Sequence, residues 1–208
     1  MKTIDVRHLG RERVIACFDV GGVLIDPGPE ASLPNWIETL DAPPKAVLLT
    51  HIHFDHAGAA GALVRRWPEL PVYVHSKGAR HLKDPERLVA SATRLYGMDG
   101  MKELWGEVVP VPEANLYPLE GGEEVLGFGV EYTPGHASHH VCYFHRESRV
   151  AFCGDTAGVR IAPVELTIAP TPPPDIDVEA WMESLDKVQS WDPERLALTH
   201  FGVIEDAA

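Results

Sequence analysis

Four residues with metal-binding side chains stand at fixed offsets in one short segment. His51, His53, Asp55 and His56 form the pattern H-x-H-x-D-H. In an extended backbone, residues two apart point to the same side, so His51 and His53 can bind one ion, while a turn at Phe54 directs Asp55 and His56 towards a second. Imidazole and carboxylate ligands suit zinc, and iron or manganese accept the same donors. The alternative is a polar loop without metal, which is disfavoured because four buried groups without a partner are costly.

Three further candidate ligands each follow a predicted strand. His136 lies in the sequence TPGH, Asp155 in GDT directly after the apolar run VAFC, and His200 in THFG directly after RLAL. Each of them alone is a weak signal, because a histidine at a strand end is usually a surface or capping residue. The recurrence of the pattern strengthens the prediction that the three residues belong to one site.

Several other residues are candidates for supporting roles. His140 is a candidate for a position behind the ligands or in contact with substrate, although a packed strand residue is the favoured interpretation. His75, at the end of VYVH, is either a neighbour of the ligands or, as we favour, a strand-end histidine with its own partner. Thr50 and Thr199 precede candidate ligands and could hydrogen-bond the ligand loops. His139 is expected to face outward.

The elements that must position these residues alternate between strands and helices. Apolar runs predict strands over residues 14–20, 22–28, 45–50, 71–75, 125–135, 139–147, 149–156 and 195–200. Gly21 and Gly22 predict a hairpin between the first two. Helices are predicted over residues 58–67, 85–96 and 177–191. This order indicates two sheets face to face with helices outside. The proline-rich residues 168–175 are extended, either as a packing strut or as a pocket wall.

Composition limits the classes of partner. The 208 residues are 45% hydrophobic and 24% charged, which is typical of one globular domain over residues 1–208. The net charge of −13 argues against a nucleic-acid partner and leaves a small-molecule substrate. No apolar run approaches the roughly 20 residues of a membrane span. No signal peptide is visible, so a cytoplasmic location is expected. Cys17, Cys142 and Cys153 are expected to be small buried residues of a reducing compartment.

The motifs THIHFDHAG, TPGH, GDT and THFG together resemble the metallo-β-lactamase superfamily, in its branch similar to glyoxalase II. The resemblance covers nearly the whole chain, and GGVLIDPGP is similar to the family's opening strands. It implies an α+β fold, a four-layer αβ/βα sandwich with two facing mixed sheets and helices outside. It also implies two divalent metal ions, with zinc favoured. By position, the implied ligands are His51, His53 and His136 for one metal, Asp55, His56 and His200 for the other, and Asp155 for both.

The resemblance further implies a hydrolase in which two ions hold a bridging hydroxide. Asp55 would orient that hydroxide and could receive its proton, so Asp55 and Asp155 are the expected catalytic residues. Ester, thioester or lactone cleavage is the expected reaction. Relatives with di-iron redox chemistry tend to carry acidic residues in the first motif and a fused flavin domain, and this chain has neither.

Alternative functions stay open. A phosphodiesterase or nuclease on the same scaffold would need a basic face, antibiotic hydrolysis usually accompanies export, and a non-catalytic metal-binding protein is the alternative from another class. Glyoxalase II-like enzymes bind glutathione partly through a C-terminal helical domain, whereas eight residues follow His200, so glyoxalase II activity itself is not expected. The substrate wall is expected from residues 96–112 and 162–175, from a second copy in a homo-oligomer, or from a segment beyond this chain.

Overall fold

The strands form two six-stranded sheets. A computed structural model describes residues 1–161, 166–172 and 175–205. The first sheet has the order β1-β2-β3-β4-β5-β6, and the second has the order β12-β11-β10-β9-β8-β7. The strands of the first sheet are β1 (Lys2–Asp5), β2 (Ala16–Val20), β3 (Val23–Ile25), β4 (Ala46–Leu48), β5 (Val72–His75) and β6 (Leu116–Leu119). Those of the second are β7 (Glu124–Val125), β8 (Phe128–Tyr132), β9 (Val141–His145), β10 (Val150–Gly154), β11 (Arg195–Leu198) and β12 (Gly202–Ile204).

Both sheets are mixed, as the family resemblance implies. In the first, β3 to β6 pair in parallel and the remaining pairs are antiparallel. In the second, β10 and β11 are the parallel pair. The predicted hairpin between β2 and β3 is confirmed, with Val20 opposite Val23. Gly21 and Gly22 have φ values of 62° and 94°, a conformation that glycine adopts without steric cost.

Helices cover the outer faces of both sheets. They are α1 (Leu33–Trp36), α2 (Phe54–Ala57), α3 (Ala60–Arg66), α4 (Ser76–Lys83), α5 (Glu86–Gly100) and α6 (Val178–Ser190). Helix α5 is kinked at Gly97 and continues into a π-helical turn over Met101–Trp105. Among the described residues, no helix combines the length and the apolar character needed to cross a membrane.

Three apolar clusters hold these layers together. Between the sheets, Phe18 contacts Phe152 edge to face at 5.4 Å between ring centroids. Trp36 and Leu63 pack with the outer face of the first sheet, and Val188 of α6 packs with the outer face of the second. The three cysteines are fully buried and unbonded to one another, as predicted. The four-layer sandwich is therefore confirmed.

The strand predictions differ from the structure in four places, the first of which is β1 (Lys2–Asp5), where no strand was predicted. Residues 125–135 do not form one strand, because Leu126 (φ 53°) and Gly127 make a turn between β7 and β8. The strand after residue 195 is not the last, since β12 pairs with it at the sheet edge. Strand β6 was not predicted because it contains Pro118, which is tolerated at the edge of a sheet.

Candidate metal centre and active site

Seven candidate ligands follow the carboxyl ends of four strands. His51 and His53 lie between β4 and the short helix α2, whose first turn carries Asp55 and His56. His136 follows β8, Asp155 follows β10, and His200 follows β11. Because β10 and β11 are parallel, their carboxyl ends meet at one edge of the second sheet. The four candidate ligands of residues 51–56, which we call the ligand loop, belong to the first sheet and face this edge. The structure thereby brings all seven residues together.

Three imidazoles form the first ligand group. His51 Nε2 lies 2.9 Å from His53 Nδ1, which in turn lies 3.1 Å from His136 Nε2. The three nitrogens all lie within 4.8 Å of one another. Nitrogen ligands about 2.0–2.1 Å from a zinc ion have this kind of convergent spacing.

Asp55, His56 and His200 form the second ligand group. His200 Nε2 lies 3.2 Å from Asp55 Oδ2, and His56 Nε2 lies 3.9 Å from the same oxygen. All three ligand atoms again lie within 4.8 Å of one another. The group therefore offers two nitrogens and one oxygen, a donor set that a borderline divalent ion accepts.

Asp155 lies between the two groups and directs one oxygen to each. Its Oδ2 is 3.3 Å from His136 Nε2 of the first group. Its Oδ1 is 3.4 Å from His56 Nε2 and 3.8 Å from His200 Nε2, both in the second group. A carboxylate in this position can serve two ions at once.

The far ring nitrogens of three ligands are held by fixed acceptors. A backbone carbonyl or a carboxylate can only accept, so each Nδ1 carries a proton, and with a metal bound each Nε2 would present its lone pair to the ion. These contacts are His56 Nδ1 to Asp26 Oδ2 (2.8 Å), His136 Nδ1 to the Pro170 carbonyl (3.0 Å), and His200 Nδ1 to the Val14 carbonyl (2.9 Å).

Asp26 is a supporting residue that the sequence interpretation missed. Its fully buried carboxylate accepts hydrogen bonds from the Thr50 amide and hydroxyl at 2.8 and 2.7 Å. The Thr199 hydroxyl donates to it at 2.8 Å, and His56 donates as well. Thr50 and Thr199, which were expected to hydrogen-bond the ligand loops, thus support them through their hydrogen bonds to Asp26. The available signal was an aspartate directly after the apolar strand VLI.

Two buried polar atoms show that the site fits metal ions. His56 Nε2 and Asp155 Oδ1 are enclosed and lie 3.4 Å apart, but neither forms a hydrogen bond. A buried polar atom without a partner costs about 1–3 kcal/mol, and binding a cation removes that cost for both. Together with the imidazole-rich donors around them, these atoms fit two divalent ions.

The protonation of the first group favours metal binding. Burial lowers the pKa of His51 and His136, and it lowers the pKa of His53 to about 4. These imidazoles are therefore neutral near pH 7, the form that binds metal.

The second group instead pairs its charges. Burial lowers the pKa of His56, but Asp155 and Asp26 outweigh burial and raise it overall. Burial raises the pKa of Asp55, but His56 and the hydrogen bond from His200 lower it overall. Asp55 is thus ionised, ready to bind a cation.

His140 lies behind the ligands and is fully buried. Its ring stacks on His51 at 4.9 Å between centroids, and its Nε2 accepts the backbone amide of Asp155 at 3.3 Å. Its Nδ1 therefore carries the proton and contacts the hydroxyls of Thr133 (2.9 Å) and Thr156 (3.2 Å). Of the two predicted roles, this position matches support of the ligands rather than contact with substrate.

His75 and His139 differ from each other in placement. His75 accepts from the Lys77 amide at the start of α4 and stacks on Tyr132 at 4.5 Å, so it has its own partners, as favoured from the sequence. The expectation that His139 faces outward is wrong, since its side chain is buried against His51 and His53. The reason is local: β9 begins at Val141, so strand alternation does not extend to residue 139.

An apolar cavity of about 540 Å³ opens beside the ligands. Tyr96 and Trp105 line it, which is the contribution expected from residues 96–112. Pro170 and Pro172 line it from the proline-rich segment, so the described part of that segment is a pocket wall. Residues 162–165 and 173–174 of the second expected wall lie outside the described residues.

Comparisons with known proteins agree with this geometry. The model of the metallo-beta-lactamase superfamily matches residues 17–200. The metallo-beta-lactamase fold-containing protein ST1585 from Sulfurisphaera tokodaii is 29% identical over 91% of this chain and 72% of that protein. Its crystal structure superposes with a TM-score of 0.83 at 27% identity, covering 98% of this chain and 80% of that one. The structure of TTHA1623 in a di-iron-bound form has a TM-score of 0.66 at 32% identity, covering 92% and 89%.

Curated relatives named as hydrolases match a smaller part of the chain. A hydroxyacylglutathione hydrolase from Legionella pneumophila is 27% identical over 66% of this chain, but the match spans 44% of that relative's length. The probable metallo-hydrolase YqgX from Bacillus subtilis is 31% identical over 64% of this chain and 59% of its own. The family model covers most of the chain and includes every candidate ligand. The chain therefore belongs to the metallo-β-lactamase superfamily.

Proposed function

We propose that the protein is a metal-dependent hydrolase that cleaves an ester, thioester or lactone bond in a small substrate. The observation that carries this proposal is the pair of converging ligand groups with Asp155 between them, beside an apolar cavity. The relatives named as hydrolases support the reaction class.

We assign the two ligand groups to two divalent ions, with zinc favoured because five of the seven donors are imidazoles. His51, His53 and His136 would hold one ion, Asp55, His56 and His200 would hold the other, and Asp155 would contact both. The bound ions would supply a nucleophilic hydroxide at neutral pH and would polarise the substrate's carbonyl oxygen.

Asp55 is the residue placed to move a proton. Its side chain is 27% exposed and lines the apolar cavity, whereas that of Asp155 is 6% exposed. Asp55 Oδ2 lies 3.2 Å from His200 Nε2, so the two side chains face the same point of the site. Asp55 therefore orients the attacking water through a carboxylate oxygen and accepts its proton, while Asp155 stays enclosed among ligands.

The cavity walls position the substrate and exclude water. Leu88, Tyr96 and Trp105 form an apolar surface across from the ligands. A cavity that is mostly apolar with a few convergent polar groups is typical of a small-molecule site. No side-chain nucleophile is required, and all three cysteines are buried elsewhere.

Metal analysis tests the core of the proposal. We expect about two zinc ions per chain in protein purified with zinc present. Asp155→Ala should lose at least one ion, because both groups share its carboxylate. His145→Ala is the control: His145 bonds Ser148 at the β9–β10 turn, and its loss should leave the metal content unchanged. A folded protein that binds no metal would contradict the proposal.

A hydrolysis screen on the zinc-loaded protein tests the reaction class. It compares a thioester, a lactone and bis(p-nitrophenyl) phosphate, with Asp55→Asn as the variant that keeps the shape of the side chain. Thioester or lactone cleavage that falls about 100-fold in Asp55→Asn supports the proposed role of Asp55. Cleavage of the phosphodiester alone would favour the nuclease class, and no cleavage with two metals bound would favour a non-catalytic protein.

A further inference from the structure

A second cavity, of about 380 Å³, adjoins the apolar cavity. Ile52, His53, Leu88, Ser91 and Pro172 line both cavities, so the two are continuous. His53 is a candidate metal ligand. A molecule whose reacting group lies at the metal centre can therefore extend into the second cavity.

The second cavity is rich in cationic side chains, and we call it the basic cavity. Lys77 and Arg80 of α4 line it together with Arg87 of α5. Asp175 is the single acidic residue among its described lining residues, and the Ser138 hydroxyl lies 3.5 Å from that carboxylate. Three cations beside the candidate active site contrast with the net charge of −13.

The cations of the basic cavity are not neutralised by carboxylates. Among the salt bridges of the described residues, none involves Lys77, Arg80 or Arg87. Lys77 Nζ contacts the Tyr132 hydroxyl at 2.7 Å, and Arg80 Nε contacts His81 Nε2 at 3.1 Å, so neither contact is with a carboxylate. Their positive charge is thus available to a ligand.

Three surface cations of α3 and α4 outside the basic cavity are paired with carboxylates. Arg65 forms two hydrogen bonds to Glu107 at 2.9 and 2.7 Å. Arg66 pairs with Glu38 at 2.9 Å, and Lys83 pairs with Glu113 at 2.6 Å. Arg65, Arg66 and Lys83 thus differ from the three cations that line the basic cavity, which have no carboxylate partner among the described salt bridges.

His139 adds a hydrogen-bond donor between the cations and the metal ligands. Its side chain is buried, lines the basic cavity and has an enclosed Nδ1 without a partner. An enclosed N–H without an acceptor is less tolerable than an enclosed lone pair, so the proton resides on Nε2. Nε2 is then the ring atom that can donate to a ligand in the cavity.

We infer that the basic cavity binds an anionic end group of the substrate, a carboxylate or a phosphate. This inference rests on the proposed function and narrows its substrate class to small esters or thioesters that carry a negative charge at one end. Arginine guanidinium groups bind carboxylates and phosphates through paired hydrogen bonds, which suits Arg80 and Arg87. The reacting carbonyl then lies at the metal ligands and the uncharged portion in the apolar cavity.

The kinetic test uses three thioesters with the same acyl group whose far end is a carboxylate, a phosphate or a neutral amide. The double variant R80Q/R87Q is compared with R65Q/R66Q, which loses the same two charges from α3 outside both cavities. For R80Q/R87Q we expect the preference in kcat/KM for an anionic thioester over the amide to fall about tenfold or more. The control should keep the wild-type preference. The thioester whose kcat/KM falls more in R80Q/R87Q, with either the carboxylate or the phosphate end, identifies the anionic group that the cavity binds.

A binding test separates this inference from the proposed function. Calorimetric titration of the zinc-loaded proteins with inorganic phosphate and with glutarate needs no turnover. Binding about tenfold weaker in R80Q/R87Q than in R65Q/R66Q supports the basic cavity as an anion site even if no thioester is cleaved. Equal binding by the two variants, or equal preference in the kinetic test, would overturn the inference.

Discussion

At the scale of single residues, a buried carboxylate that accepts four hydrogen bonds lies behind the metal ligands. Asp26 contacts Thr50 twice, Thr199 once and His56 once. Thr50 precedes His51, and its hydroxyl lies 3.1 Å from His51 Nδ1. One side chain thus joins the ligand loop of the first sheet to the end of β11. Such supporting contacts fix the tautomer and orientation of metal-binding histidines.

Asp26→Asn should weaken zinc binding about 10- to 100-fold while leaving the fold intact. The asparagine side chain can place a donor NH₂ group where the Thr50 and Thr199 hydroxyls and His56 need an acceptor. His56 then loses the contact that orients its ring. The measurement is zinc affinity in competition with a chelator. Asp19→Asn is the control, because Asp19 bonds the Gly22 amide in the β2–β3 hairpin. Unchanged zinc affinity in Asp26→Asn would contradict this role.

His139 makes the stability of the protein sensitive to acid. Burial, followed by the nearby His53, lowers the pKa of His139 to about 3. An unfolded histidine binds a proton near pH 6.5, so between pH 6.5 and 3 the unfolded state holds more protons than the folded state. The stability contribution of the neutral ring is complete above pH 6.5 and declines as the pH falls.

His139→Gln should therefore flatten the acid dependence of folding. Between pH 7 and pH 5, the free energy of unfolding of the wild type should fall up to about 2 kcal/mol more than that of the variant. Urea unfolding with a chelator present, so that metal release does not contribute, measures both values. From pH 7.5 to 9 the free energies of unfolding of the two proteins should change in parallel. If those free energies also fall equally between pH 7 and pH 5, His139 is not the group responsible for the acid dependence.

At the scale of elements, helix α6 holds the turn that carries His136. Trp181 of α6 donates from Nε1 to the Thr156 carbonyl at 2.7 Å, and its ring meets His136 edge to face at 5.6 Å. Ser184, one turn further along, donates to the Pro134 carbonyl at 2.7 Å. The helix on the outer face of the second sheet thereby fixes one ligand of the first group.

Gly135→Ala should disturb both stability and metal binding. Gly135 has a φ of 131°, and an added Cβ would lie 2.4 Å from the Trp181 Cα. Neither backbone can move easily, so we expect the free energy of unfolding to fall by about 2 kcal/mol or more. We also expect a lower zinc content, because the turn that carries His136 is displaced. Urea unfolding and metal analysis measure the two effects.

The matched control for this substitution is Gly129→Ala in β8. There an added Cβ would meet the far end of the Arg146 side chain at 3.5 Å, an ordinary contact. Gly129→Ala should lower the free energy of unfolding much less than Gly135→Ala does. Equal effects of the two substitutions would show that close contact with α6 is not what holds the turn.

At the scale of the whole molecule, the candidate metal site joins the two halves of the sandwich. The ligand loop after β4 belongs to the first sheet, whereas His136, Asp155 and His200 follow strands of the second. The sheets also meet through apolar contacts such as that between Phe18 and Phe152, and through hydrogen bonds such as that from the Tyr143 hydroxyl to the Leu49 carbonyl. Metal binding at the proposed site would add a further link between the two sheets.

Zinc should raise the melting temperature of the metal-free protein. At a free zinc concentration of about 100 times Kd, binding adds about 2.7 kcal/mol to the free energy of unfolding. For a chain of this size that corresponds to a rise in melting temperature of about 5–10 °C. Thermal unfolding with zinc and with a chelator measures the shift. Asp155→Ala should show a clearly smaller shift, and magnesium, which prefers oxygen ligands, should have little effect on the wild type. An equal shift for wild type and Asp155→Ala would contradict a shared ligand.

Sequence patterns were sufficient to predict the fold class and the positions expected to bind metal. The spacing of His51, His53, Asp55 and His56 reflects local backbone geometry, so residue order alone carries the signal. The hairpin at Gly21-Gly22 and the helix over 178–190 were equally local, and the structure confirms both. Prediction failed at Leu126 and at β12, where short edge strands depend on their neighbours for definition.

The residues that support the site, and those that surround it, are brought together by long-range packing. The partners of Asp26 are as far as 173 positions away along the chain, so no local pattern marks it as an anchor. The inward position of His139 and the meeting of Arg80 and Arg87 with the metal ligands likewise follow from how α4 and α5 lie beside the turn before β9. Metal-ligand spacing is encoded over a few residues, whereas the shape and charge of the substrate cavities arise from contacts between distant segments.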